Sequence, residues 1–230
     1  MPQLTSRHAR PPQGGFTLVE LAVTLLVVTI LASMLLIPLT GREAIRTRQE
    51  TGRQLEAIRE ALIGYAIIHG SLPCPTHETN PASVDYGLPD ASCNQTVEGY
   101  LPWRILGLPQ TDAWGVTRLA PGDPWLGYWR YRVVPILAVD GTPIQATTVP
   151  DLDLDVRDVV TGQLMVDDKA LAALVYSTGP DRTANGDNAS FEAGASAIYS
   201  MGGPTTTFDD QLAWISHPEL IARLAAAGRL

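Results

Sequence analysis

From Leu21 to Leu39 only hydroxyl residues and Pro38 interrupt a run of apolar side chains, and no charged residue follows Glu20 until Arg42. With Phe16 to Glu20 added, the segment reaches the roughly 20 residues that a helix needs to cross a bilayer. The leader before it is basic, with Arg7 and Arg10. Such a leader stays cytoplasmic by the positive-inside tendency, which places everything after Leu39 outside the inner membrane. A carboxylate near the end of a membrane helix is costly, about 2.5–3.5 kcal/mol for an acid at the helix centre and less near an interface, so Glu20 needs a partner.

The segment reads Gly14-Gly15-Phe16-Thr17-Leu18-Val19-Glu20. A glycine pair before a lone acid in an apolar helix resembles the prepilin processing signature of type IV pilins and of the pseudopilins of type II secretion. The resemblance implies that a membrane-bound prepilin peptidase cuts after Gly15 and methylates the new amino terminus at Phe16. It also implies that Glu20 pairs with the ammonium of Phe16, on the same or a neighbouring subunit, and sets the axial register of a filament. The competing reading is an ordinary signal anchor. A plain signal peptide, however, carries its small-residue cleavage site after the apolar core, and here the glycines precede it. The resemblance is tight over residues 14–40 and loose over the rest.

The formal charge is −8. Loss of residues 1–15 removes Arg7 and Arg10 and no acids, leaving −10. An acidic head disfavours bulk nucleic-acid binding through phosphate neutralisation. The two cysteines, Cys74 and Cys93, fit an oxidising compartment, where a bridge closing a loop of about 20 residues is worth roughly 3 kcal/mol in the chain-entropy model. The rival, a metal site around Cys74-Pro75-Thr76-His77, lacks the ligands to complete a tetrahedron.

Pro38 and Gly41 mark an expected bend. The helical pattern then resumes from Arg42 to about His69, with Leu55, Ile58, Leu62 and Ala66 forming a stripe suited to packing on a sheet. Arg46, Arg53, Arg59, Glu50, Glu56 and Glu60 supply its wet side, and Gly70 and Pro73 stop it. Residues 71–127 show no sustained period and read as irregular. Their pieces around Trp103, Trp114 and Trp125 are similar to segments of many pilin-like proteins, although Leu126 intervenes where major pseudopilins have Asp-Pro-Trp-Gly. Tyr128 to Val139 predicts a strand, Asp140-Gly141 a turn and Ile144 to Val149 the returning strand. Leu152, Leu154 and Val156 alternate with polar residues as a half-buried strand, and Ala170 to Tyr176 reads as a buried strand or the end of a short helix. Ser216-His217-Pro218-Glu219 makes a capping box before a C-terminal helix that Gly228 ends.

From Asp181, the chain places Thr183, Asn185 and Asp187 at alternate positions, Gly186 sixth and Glu192 twelfth. That is close to the EF-hand loop, in which alternating oxygens wrap a hard cation and a final Glu closes the shell. Thr183 and Asn188 depart from the pattern, and the helix pair is missing. Major pseudopilins are similar again, holding calcium in a loop after a segment like Ser177-Thr178-Gly179-Pro180-Asp181, to which Asp209 and Asp210 would add a carboxylate. The alternative is a polar Asn-Gly turn without an ion. Trp103, Trp114, Trp125 and Trp129 offer either an adhesive face or staples for a long loop. His69, His77 and His217 have no nucleophile partner, and there is no Gly-x-Ser-x-Gly elbow, phosphate loop or dinucleotide fingerprint, so catalysis is not expected.

The expected fold class is α+β, a long N-terminal helix packed on a small antiparallel sheet. Its parts are a cleaved leader (1–15), a transmembrane and polymerisation helix (16–39), an amphipathic continuation (40–70) and a periplasmic pilin-like head (71–230). The expected function is a structural subunit, of the minor kind, of a type IV pilus or a type II secretion pseudopilus. Its partners would be prepilin peptidase, other pilin or pseudopilin subunits and the inner-membrane assembly platform, with no required cofactor beyond the calcium option. The second function class is a filament-displayed adhesin or DNA-uptake module.

Overall fold

A computed structural model of the protein describes residues 15, 17–91, 93, 98–139, 141–166, 169–193 and 197–230; for 34–42 and 190–193 it describes the backbone alone. The chain divides into two compact units, Met1–Ile45 and Arg46–Leu230. Helix α1 (Leu18–His69) is assigned without a break through Pro38 and Gly41.

In the first unit, Thr17 starts α1. Its hydroxyl accepts the Glu20 N–H at 3.3 Å and its carbonyl accepts the Leu21 N–H at 3.1 Å. A threonine three residues before a glutamate is the capping-box spacing, and the acid in the first turn is favoured by the helix dipole. Further along, the hydroxyls of Thr24, Thr29 and Ser33 donate to carbonyls three or four residues back, at 2.7–2.9 Å. The hydroxyl donors within the apolar run are therefore satisfied inside the helix, as a lipid environment requires. The large apolar side chains from Leu18 to Leu31 are all exposed. Among the described residues no helix is long and apolar enough to cross a membrane. The described side chains of this stretch end at Ser33, whereas the apolar sequence continues to Leu39.

In the second unit, α1 buries Leu55, Ile58, Leu62, Ile63 and Ala66 in the main core. Gly70 ends the helix, its N–H bonded to the Ala66 carbonyl at 2.8 Å. The stripe packs on an antiparallel sheet of β1 (Gly99–Tyr100), β2 (Arg130–Val133), β5 (Leu171–Ser177) and β7 (Gln211–Ser216), in the order β1-β2-β5-β7. Leu62 and Arg59 meet Ala173, Val175, Ala213 and Ile215 around a small void where helix and sheet touch. By alternation, Arg130, Arg132, Leu174 and Tyr176 lie on the opposite face. A second sheet, β4-β3-β6, comprises β3 (Asp155–Asp158), β4 (Leu164–Val166) and β6 (Ile198–Met201), with β3 and β6 parallel. The head is thus α+β, with a parallel pair added to the expected antiparallel sheet.

The strand expected over Tyr128 to Val139 is shorter, because Pro135 opens a 3-10 turn over Pro135–Leu137. No returning strand forms over Ile144 to Val149. The Ile144 N–H bonds instead to the Gly70 carbonyl at 2.7 Å, a turn follows at Gln145 to Thr148, and β2 pairs with β1 and β5; Asp140 lies outside the described residues. The described residues of 71–127 are irregular apart from β1 and the short helix α2 (Trp103–Leu106). Helix α3 (His217–Ala226) starts at Ser216, whose Oγ accepts the Glu219 N–H at 3.3 Å. The Glu219 carboxylate does not turn back to complete the box; it takes Arg59 of α1 at 2.6 Å, while Arg223 reaches Glu60.

Candidate functional site

The processing segment sits at the start of α1. Gly15 is exposed, with nothing within 4 Å of where a Cβ would lie. Phe16 and the leader residues before Gly15 lie outside the described residues. Glu20 occupies the first turn of α1, three residues beyond the capping Thr17 and among exposed apolar neighbours. The sequence therefore brings together an accessible glycine, a helix that starts two residues after Phe16 and a carboxylate at that helix end.

In the loop after β5, the candidate calcium donors mostly bond to one another. Asp181 accepts from the Thr183 N–H at 2.8 Å and from the Asn185 side-chain amide at 3.2 Å, and Asp187 accepts from Ser200 at 2.7 Å. Asn185 joins the two loops, its Oδ1 accepting the Asp209 N–H and its own N–H donating to Asp210. The Glu192 side chain lies outside the described residues. Among those described, no group of three His, Cys, Asp or Glu side chains gathers as a metal shell. Two oxygens do stand out: Oδ1 of Asp209 and Oδ1 of Asp210 are buried with no hydrogen-bond partner. Burial pushes the Asp210 carboxyl up to about 7, against hydrogen bonds from Asn185 and Asn188 and with the charges of Asp209 and Asp181 adding to the rise. Asn188, the departure from the calcium pattern, is fully buried and ties the loop to β6, donating to the Ser200 carbonyl and accepting the Ser200 N–H.

Cys74 and Cys93 are joined by a disulfide, with Cα atoms 5.4 Å apart. Beyond it lies an aromatic cluster of Tyr86, Tyr100, Trp103 and Tyr128. Trp125 stacks on Tyr100 at 3.7 Å and lies under the guanidinium of Arg118 at 3.9 Å. Arg118 in turn donates to the carbonyls of Asp123 and Pro121, and Asp123 accepts the N–H groups of Leu119 and Ala120. Trp103 and Trp129 are buried and Trp114 and Trp125 half-buried; Trp103 packs edge-on against Tyr128 and Trp125 stacks on Tyr100, so these two tie the long loop to the head.

A buried polar cluster links the two sheets, and composition gave no sign of it. Glu98 meets Tyr199 of β6, and Arg132 of β2 donates to the same hydroxyl at 3.3 Å. Burial pushes the Glu98 carboxyl up to about 7, against hydrogen bonds from Tyr199 and Tyr176 and the charges of Arg130 and Arg132. The available signal was the alternation of Arg130 and Arg132 with Tyr131 and Val133: it marks a second face of β2, and the second sheet covers that face.

The family model for the prokaryotic N-terminal methylation motif matches residues 10–36. No curated protein and no solved structure matches the chain. That motif implies processing by prepilin peptidase and assembly with other pilin subunits. The motif supports the resemblance of residues 14–40 to type IV pilins and pseudopilins, and a helix packed on an antiparallel sheet is consistent with a pilin-like head.

Proposed function

We propose that the protein is a minor structural subunit of a type IV pilus or a type II secretion pseudopilus. It is held in the inner membrane by residues 16–39 with its head in the periplasm, then processed and polymerised through α1. The observation that carries this reading is the motif at residues 10–36 with Glu20 in the first turn of an apolar helix. A carboxylate there is matched by the ammonium that cleavage creates at Phe16, within one subunit or between neighbours. The minor role rests on the long stapled loop and the Cys74–Cys93 bridge, which depart from a compact major pseudopilin. An adhesive or DNA-binding role would rest on an exposed aromatic or basic face, and the burial of the tryptophans favours the structural reading.

Intact mass and N-terminal sequencing of the protein from membranes, with and without the peptidase, test the proposal. The expected product is a chain beginning at methylated Phe16, formed only when the peptidase is present. Glu20→Ala is expected to be cut normally and to lose at least tenfold in filament incorporation. An uncut chain in both strains would leave only a membrane anchor, and full incorporation of the variant would remove the pairing role of Glu20.

Calcium at the loop after β5 is a second proposal, supported by the unpartnered oxygens of Asp209 and Asp210. Those two carboxylates, with Asp181 beside them, would hold the ion and keep Asp210 ionised. Calcium is expected to raise the Tm of the protein by several degrees over that in chelator. Equal melting temperatures would remove the ion.

A further inference from the structure

His77 lies inside the disulfide-closed stretch, wedged between three pieces of chain. Its Nδ1 faces Oδ2 of Asp90 at 2.5 Å and its Nε2 faces the carbonyl oxygen of Glu98 at 3.0 Å. Its own backbone N–H donates to Oδ1 of Asp90 at 3.1 Å. The ring also packs over β1: a Cβ on Gly99 would come within 2.8 Å of the ring atoms Cε1 and Nε2. Neutral imidazole has one donor and one acceptor nitrogen, whereas imidazolium donates from both. With an oxygen acceptor on each side, only the charged ring satisfies both contacts.

These contacts lie beside the pairing that covers the outer edge of the four-stranded sheet. Thr76 bridges Tyr100 of β1, its N–H donating to the Tyr100 carbonyl at 2.9 Å and its carbonyl accepting the Tyr100 N–H at 3.1 Å. The Asp90 N–H meanwhile donates to the Pro75 carbonyl at 3.0 Å. Residues 75–77 thus cover β1 through a single bridge at Thr76, and His77 is the side chain that joins this cover to both Asp90 and Glu98.

We propose that His77 is an acid-set latch: as imidazolium it clamps residues 75–77 onto the edge of β1, and on losing its proton it releases the Glu98 carbonyl and loosens that cover. An uncovered strand edge is a pairing surface for another chain, so the latch would control whether β1 is available.

The charged groups that act on the ring are consistent with this. The Asp90 carboxylate raises the His77 pKa above its ordinary value, burial opposes it and the Glu98 carbonyl adds to the rise. The Glu98 carboxylate is turned inward to Tyr199, and that of Glu78 accepts the Asn80 N–H at 2.7 Å. A histidine whose folded pKa is raised stabilises the fold fully below its unfolded pKa of about 6.5. That contribution is lost as pH rises through the folded value.

The Thr76 and Tyr100 amide protons are direct probes. NMR of the full chain in detergent would follow the His77 ring resonance and the exchange protection of these two amides from pH 5.5 to pH 8.5, relative to Leu174 and Val175 within the sheet. His77 is expected to titrate above about 6.5, with relative protection at Thr76 and Tyr100 falling about tenfold or more as it does so. His77→Gln should show low, flat protection, and Asp90→Asn should move the midpoint down. Glu98→Gln, which removes a carboxyl that titrates near 7 while keeping the carbonyl that His77 meets, should leave the profile in place. Flat protection in the wild-type protein, or an unchanged profile in His77→Gln, would overturn the latch.

Discussion

Alanine at Gly127 is expected to destabilise the protein by about 3 kcal/mol or more, a fall in Tm of roughly 6–12 °C for a unit of this size. Gly127 has φ +69°, and a Cβ there would lie 2.3 Å from the Gly115 Cα and 2.6 Å from Oδ1 of Asp112. The first of these is backbone, so it cannot swing aside. The position is the neck of the long excursion between Thr111 and Tyr128, which bridge one another, and the Gly127 carbonyl accepts the Asp112 N–H at 2.8 Å. Asp112 also takes the Ser177 hydroxyl at 2.5 Å at the end of β5. Forcing the neck apart would therefore unseat the loop and its hold on the sheet together. Gly122→Ala is the control, since its Cβ would meet nothing within 4 Å and its φ is not positive. Thermal melts of the full chain in detergent decide the matter: if Gly127→Ala melts with the control, the neck carries no stability.

Stability in chelator is expected to fall as pH rises from about 4 to about 7, with a further loss as His77, whose pKa is raised, gives up its proton. Glu98 and Asp210 both have folded pKa values near 7, raised from ordinary carboxylate values by burial. A raised acid pKa means that the folded state holds its proton where the unfolded chain has lost it. The stabilisation is complete below the unfolded pKa and is lost as pH climbs through the folded one. Each group contributes on the order of 3 kcal/mol across that window. Glu98→Gln and Asp210→Asn mimic the protonated forms, so each should flatten the profile and melt above the wild-type protein at pH 8. Added calcium should restore an ionised Asp210 and flatten the same part of the curve, leaving the Glu98 part untouched. A wild-type Tm that is level between pH 4.5 and pH 7.5 would contradict both assignments.

The elements legible in the sequence were those whose signal is local. The stripe Leu55, Ile58, Leu62, Ala66 repeats at helical spacing and is buried as a unit. The run ending at Tyr176 is apolar on both faces, which suits a central strand covered on both sides, and β5 is such a strand. The alternation at Leu154 and Val156 marked β3 for the same reason. What failed depended on distant partners. Asp140-Gly141 offered β2 a nearby return strand, yet Tyr131 and Val133 found Val175 and Ala173, some forty residues on. Strands β6 and β7 are short and mixed in polarity, so no period announces them. The processing segment could be read residue by residue because its chemistry lies within one stretch of chain. The buried meeting of Glu98, Arg132 and Tyr199 could not, because its members come from three separate pieces.

The order in which the head is completed has a kinetic consequence. The apolar stripe of α1 is made early, yet part of its cover comes from Ala213 and Ile215 of β7 and from Leu220 and Leu224 of α3, near the end of the chain. Ion pairs from Arg59 and Glu60 to Glu219 and Arg223 fasten the same late elements. A chain emerging from its N-terminus cannot bury the stripe piece by piece. It must wait for the last strand and helix, and such non-local closure is slow. Any chain halted before Gln211 would thus carry an uncovered apolar helix face, which marks it for chaperones and proteases before it can enter an assembly.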